Sequence, residues 1–308
     1  VDVDGIPFLH RPPAVEPPAF HDPDFPTAAQ WLGMRPEGDP ALVVLGVPFS
    51  AASISRAACD MAPAAVRRAL GRFSVWSSDR AVSVEGMPVL DAGDVDPDGD
   101  DVEKTQRRIA EVVAALPRSP LIVLGGDNSI TVGAARGARA DGLLTFDAHH
   151  DCRDPALGLT NGCPVRQLIE GGIRAVVQVG IHGFANAEAH ARWALDHKVH
   201  VIKSDRVRDD GIAKTVRGAL RLLGGARRVW VDFDIDVLDR AFAPGAPAAM
   251  PGGLTPAHLE EAAFLLGKEP QVVGIDITEV DPSADVGEVT VRTAGALVMN
   301  YAAGVAAR

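Results

Sequence analysis

The sequence predicts an α/β protein: a single three-layer domain with a mostly parallel sheet of about eight strands and helices on both faces. Three observations predict it. Most of eight short runs rich in Val, Leu and Ile are continuous rather than alternating, as expected of strands covered on both faces. Helical patterns fall between these runs, and that alternation builds parallel crossovers. No change of composition marks an internal boundary in the 308 residues, of which 47% are hydrophobic, enough for a large core.

Residues 1–40 hold 9 of the 23 prolines, a density that opposes helix and sheet pairing. This stretch is expected to be an extended arm, and residues 41–308 the folded domain. Strands are expected at 42–46, 89–92, 121–124, 143–147, 176–180, 199–202, 229–235 and 272–277. The intervening helices are expected near 62–71, 102–116, 129–138, 186–197, 209–223 and 256–267, and a last one near 288–303 closes the chain. Ligands of such sheets bind outside the carboxyl ends of the strands.

Composition excludes several function classes. Lys plus Arg number 30 against 41 Asp plus Glu, a formal charge of −11, which argues against nucleic acid or an anionic membrane as partner. The three cysteines, Cys59, Cys152 and Cys163, are too few for a disulfide framework and fit a reducing compartment. No signal-peptide pattern opens the sequence and no run reaches membrane-spanning length, so a cytoplasmic location is expected.

Two acidic runs follow strand-like stretches: Asp147-Ala148-His149-His150-Asp151 and Asp232-Phe233-Asp234-Ile235-Asp236. One Asp at a strand end is ordinarily a helix cap. So many carboxylates in two such runs would repel each other, and a divalent cation removes that cost. Carboxylates with one imidazole suit Mn²⁺ and related metals. The two runs therefore read as halves of one metal site. His150 should point away from it by strand alternation and serve a structural role. Cys152 and Cys163 read as small apolar packing residues.

These segments resemble the signatures of the ureohydrolases, the family of arginase, agmatinase and formimidoylglutamase. The family's Gly-Gly-Asp-His segment has its counterpart in Gly125-Gly126-Asp127-Asn128. Its Asp-Ala-His-x-Asp segment is matched by Asp147 to Asp151, and its Ser-Phe-Asp-x-Asp-x-x-Asp-Pro segment by Asp232 to Arg240. Gly46 to Phe49, Asp91 to Asp94 and Gly274 to Pro282 add to the match, which runs in order from about residue 42 onward.

The resemblance implies an arginase-like fold and two Mn²⁺ per subunit that activate a shared water. One would be held by Asp147, His149, Asp234 and Asp236. The other would be held by Asp147, Asp151, Asp234 and Asn128, with Asp151 also moving a proton. Glu279 falls where the family places the carboxylate that meets the substrate's amidinium or guanidinium. A homo-oligomer, trimer or hexamer, is implied as well. Two positions depart from arginase and agmatinase. Asn128 replaces a metal-binding His and is the weaker donor, so the ion beside it is expected to be weakly held or absent. Asn161 replaces a His near the reacting group and cannot shuttle a proton.

Formimidoylglutamases resemble this chain in lacking that second His and in an Asp-x-Arg continuation, here Asp151-Cys152-Arg153. Arg153, and Arg166 beyond it, are expected to meet substrate carboxylates, which an arginine fork fits. The structural alternative is that Arg153 pairs with Asp154 or Asp151. A small amidine substrate with carboxylates is thus expected, N-formimino-L-glutamate above all. Agmatine or a guanidino acid, with release of urea, is the alternative. A family member without activity that only binds a ligand is a further one.

Overall fold

The computed structural model describes residues 3, 5–11 and 22–308. In chain order the strands are β1 (Leu9–His10), β2 (Leu42–Gly46), β3 (Trp76–Ser77), β4 (Val82–Ser83), β5 (Val89–Val95), β6 (Leu121–Leu124), β7 (Gly142–Phe146), β8 (Ala175–Ile181), β9 (His200–Lys203), β10 (Val229–Asp234) and β11 (Val272–Thr278). The helices are α1 (Ala28–Leu32), α2 (Ala62–Ala69), α3 (Val102–Ala115), α4 (Ile130–Gly137), α5 (Pro164–Glu170), α6 (Glu188–Asp196), α7 (Ser204–Asp210), α8 (Ile212–Leu222), α9 (Pro256–Gly267) and α10 (Val289–Ala306).

Nine strands form one sheet in the order β1-β5-β2-β6-β11-β10-β7-β8-β9, parallel except for β1. β3 and β4 make a separate two-stranded hairpin. The central strands β2, β6, β7 and β10 are buried at every residue, which explains their unbroken apolar runs. One face is covered by α1, α2 and α7 to α10, with Trp31, Val66, Val216, Leu259 and Tyr301 in its core. The other is covered by α3 to α6, which bury Ile109, Val132, Leu168 and Ala194. Each large aliphatic side chain so buried contributes about 1.5–3 kcal/mol. Among the described residues no helix is long and apolar enough to cross a membrane.

The structure corrects the expectations at several points. The Pro-rich segment does contain regular structure. β1 pairs antiparallel with β5, Leu9 opposite Val95, and adds the ninth strand. α1 starts on a Thr27–Gln30 capping box and buries Trp31, whose indole N–H donates to the Met87 carbonyl at 2.9 Å. The remainder of the expected arm, residues 12–21 with 1, 2 and 4, lies outside the described residues. The helix expected over 209–223 is broken at Gly211, whose φ of 77° ends α7 and begins α8. α5 was not foreseen, because its two turns are too short to show a period.

β6 and β7 are consecutive crossover strands, yet β11 and β10 lie between them. The carboxyl ends of these four neighbours meet where the strand order departs from chain order. That is where ligands of open α/β sheets sit.

Candidate active site

Each site residue is set by a strand end. Asp234 closes β10, and Asp147 follows β7 directly. Asn128 sits in the loop after β6, and Glu279 follows β11. The Gly125-Gly126 turn is obligatory: a Cβ on Gly126 would stand 1.7 Å from the Phe49 carbonyl oxygen. Packed that closely, the loop lets Asp127 N–H donate to Phe49 and presents Asn128 N–H to Glu279 Oε1 at 2.7 Å. Asp127 accepts from Ala52 N–H and from the Ser129 N–H and hydroxyl, which fixes the loop.

The two acidic runs converge. Ligand-type atoms of Asp147, His149 and Asp236 lie within 4.8 Å of one another, and so do those of Asp147, Asp151 and Asp234. Asp147 belongs to both groups. His149 Nδ1 is 2.9 Å from Asp236 Oδ2 and 3.4 Å from Asp147 Oδ1. Asp147 Oδ2 is buried and has no hydrogen-bond partner among the described residues.

Electrostatics show the strain of this cluster. Burial pushes the Asp147 carboxyl up to about 7, with Asp236 adding to it. Burial drives Asp151 and Asp234 well above the carboxylate range, with Asp147 and Asp236 respectively the next cause. Burial also raises Glu279 to about 8, reinforced by Asp127. Burial opposes charge on Asp236 and His149 too, but their ion pair outweighs it: Asp236 is held low and His149 is raised to about 12. An acceptor-rich, oxygen-dominated donor set with an orphaned carboxylate oxygen fits a hard divalent cation. Metal would substitute for the protons these groups otherwise take up.

Asp232, one pleat deeper than Asp234, belongs to neither group. It faces Asp276 across the β10–β11 pair, and Trp230 Nε1 donates to Asp276 Oδ2 at 2.9 Å. Burial raises both carboxyls, Asp276 to about 7.

A cavity of about 220 Å³ opens onto the cluster, lined by His149, Asp151, Asp234 and Asp236 on one side. Arg153 also lines it, exposed, and its guanidinium has no hydrogen bond or ion pair among the described residues. The alternative of pairing with Asp151 or Asp154 is not what the side chain does. Its stem runs over Gly162, where a Cβ would stand 2.7 Å from Arg153 Cδ.

Four expectations need correction or refinement. Arg166 does not line the cavity. It pairs with Asp154 at 3.1 Å and Glu170 at 2.8 Å and lies over the Trp193 ring. Its place on α5, four residues before Glu170, directs it there. Asn128 does not aim its amide oxygen at the cluster: Oδ1 accepts from Thr131 Oγ1 at 2.9 Å, and Nδ2 donates to Asp151 Oδ2 at 2.8 Å. Asn161 lines the cavity with both ends of its amide engaged, to Glu279 Oε1 at 3.0 Å and from Ile54 N–H at 3.1 Å. Glu279, only 2% exposed, lies behind Asn161 rather than on the wall.

His150 has the structural role expected of it, its Nδ1 2.7 Å from Gln178 Oε1. All three cysteines are free and buried, and burial raises the Cys59 and Cys152 thiols far out of the reactive range.

The comparisons with known proteins agree with this geometry. The family model described as "Arginase family" matches residues 40–304. This chain belongs to the arginase family. It is 35% identical over 292 residues to a formimidoylglutamase of Bacillus subtilis (strain 168), covering 90% of each chain. The crystal structure of formimidoylglutamase from Bacillus subtilis subsp. subtilis str. 168 superposes with a TM-score of 0.88 at 31% identity, over 99% of this chain and 98% of that one. A Trypanosoma cruzi formiminoglutamase solved with Mn²⁺ gives a TM-score of 0.85 at 25% identity, over 92% of this chain and 100% of that one. The nine-stranded sheet of this arginase-family member is thus the expected fold with one added edge strand.

The opposite wall of the arginase-family site escaped the sequence reading. Ala185, Asn186, Ala187 and His190 line it, from the loop after β8 and the first turn of α6. These residues carry no ligand-like spacing. The usable signal is topological: β8 pairs with β7, so the loop after it must lie beside the loop that carries His149.

Proposed function

We propose that this protein is a metal-dependent formimidoylglutamase, converting N-formimino-L-glutamate and water to L-glutamate and formamide. The observation that carries the reading is Arg153, a guanidinium with no partner among the described residues, in the same cavity as the carboxylate cluster. An arginine fork matches a carboxylate bidentately, so the cavity suits an acid and repels doubly cationic agmatine. The formimidoylglutamases among the relatives support the same reading.

Two Mn²⁺ are proposed, one held by Asp147, His149, Asp234 and Asp236, the other by Asp147, Asp151 and Asp234. When bound, such ions lower the pKa of water and supply a nucleophile at neutral pH. The protein's own residues do the rest. Asn128 Nδ2 holds Asp151, keeping one carboxylate oxygen free toward the site. Asp151, which lines the cavity beside the cluster, would take the proton of the attacking water and return it to the departing amine. The bond between the formimino carbon and the glutamate nitrogen breaks as the carbon–oxygen bond forms. Glu279 fixes Asn161 and, in the ionised form that bound metal would favour, supplies negative potential beneath the amidinium.

The test is product analysis with Mn²⁺-loaded protein. Formamide and L-glutamate in equal amounts, with no urea, are expected. Release of urea from a guanidino acid or agmatine, with none of these products, would overturn the assignment.

A further inference from the structure

We propose that His190 is a specificity-determining residue that receives the outer carboxylate of the substrate, beside Arg153. The inference rests on the formimidoylglutamase reading and deepens it. N-formimino-L-glutamate carries two carboxylates, one next to the reacting nitrogen and one at the far end of the side chain. Arg153 alone accounts for one.

The polar groups on the cavity wall can be taken in turn. His149 is tied to Asp236 and Asp147, and His150 to Gln178. Asn161 is tied to Glu279 and Ile54. Asn186 donates to the carbonyls of Ala148 and His182 and accepts from His150 N–H, so its amide is fully used. Apart from the metal-type carboxylates, that leaves Arg153, His190 and the exposed Ser55, whose side chains have no hydrogen bond among the described residues. Arg153 and His190 are the two of these that can carry positive charge. Two carboxylates and two free basic side chains is a matched count.

Their placement assigns them. Arg153 is two residues from Asp151 and leans on Gly162, so it stands on the loop that carries metal-type residues, on the side of the reacting centre. His190 lines the cavity from α6, outside the loops that carry the metal-type residues. Ala185, Asn186 and Ala187, which line the cavity on the same side, bring no carboxylate to it. A half-buried imidazole there can donate an N–H to an anion, and a dianion would favour its charged form. The small side chains of Ala185 and Ala187 leave room for the substrate's outer end.

The experiment compares two substrates. N-formimino-L-glutamate has the outer carboxylate; N-formimino-L-2-aminobutyrate is the same chain without it. With Mn²⁺-loaded protein, His190→Ala should raise KM for the diacid by about tenfold, the size of a lost hydrogen bond to a charged group, with kcat changed less than about twofold. The monoacid should show no change, because the group His190 contacts is missing. His190→Gln, which keeps an N–H donor, should recover part of the loss. A merely structural His190 would instead lower turnover of both substrates together. Equal effects on both, or no effect on the diacid, would overturn the proposal. If the unaltered protein turns over neither compound, the formimidoylglutamase reading itself fails, and the proposal with it.

Discussion

Replacement of Arg153 by Ala tests the carboxylate grip most directly. In the free protein the guanidinium has no partner among the described residues and is exposed. Its removal should therefore leave stability within about 0.5 kcal/mol of the parent. It should leave bound metal unchanged too, since Arg153 stands two residues beyond Asp151 and touches none of the ligand oxygens. In the substrate complex one charged hydrogen-bonding pair is lost, about 1.5–3 kcal/mol. The exposure of Arg153 in the free state places the effect nearer the lower figure, since solvent competes for it. That corresponds to roughly a tenfold loss in kcat/KM, extending to hundredfold if the substrate buries the pair. The carboxylate that Arg153 meets keeps its full charge and takes no part in bond making or breaking, so it is bound alike in ground and transition states and the loss should fall on KM. Arg153→Lys should recover only part, because a point charge replaces a fork. The assay is steady-state release of L-glutamate with elemental analysis of the same samples. An unchanged KM for the diacid, or a fall confined to kcat, refutes the reasoning.

Four further outcomes follow from the same geometry. Gly162→Ala should push the Arg153 stem aside and raise KM in the same direction by about half as much on a logarithmic scale; an unchanged KM shows that the stem re-routes freely. Asp234→Asn should abolish bound metal and turnover together, because an anionic ligand proposed to serve both ions is neutralised, and activity in a metal-stripped sample would contradict it. Asn128→His should tighten the second equivalent of Mn²⁺ in a dialysis titration, since imidazole is a stronger donor than an amide engaged with Thr131; two equally tight ions in the parent would count against this. The last concerns pH without metal. Asp147 and Glu279 have folded pKa values raised to about 7 and about 8, above their ordinary values. Their protonated forms therefore favour the folded state at low pH, and that contribution is lost as pH rises through those values. The metal-free protein should melt higher near about pH 5 than near about pH 8.5, and added Mn²⁺ should stabilise most at the higher pH. A flat metal-free melting profile would exclude it.

The sequence showed the strands that are long, apolar and central, because burial on both faces leaves a direct mark on composition. It did not show β1, two residues long, whose pairing with β5 depends on tertiary packing. Within the site, the metal-type side chains were legible because each lies at the end of such a strand. Arg153 and Arg166 look alike in sequence and differ in space, because only Arg166 has acidic partners within a helical turn and across the loop. Asn128 was legible as a departure from the family, but its orientation toward Thr131 and Asp151 needed the fold. The His190 wall was hidden for another reason. Its nearness to the cluster is fixed by sheet order, β7 beside β8, and no local pattern encodes that.

Asp151 and Glu279 both hold left-handed backbone conformations, φ 48° and 60°, which a side chain adopts at a cost. Each is a carboxylate on which the proposed chemistry depends. Gly or Asn would relax either backbone, and both would remove the acid. Selection for thermal tolerance alone would therefore find its gains at the two positions that catalysis can least spare. A library of this protein sorted only by heat resistance should drift toward sturdy, silent variants there, and one sorted by turnover should hold both residues and accept the lower melting point.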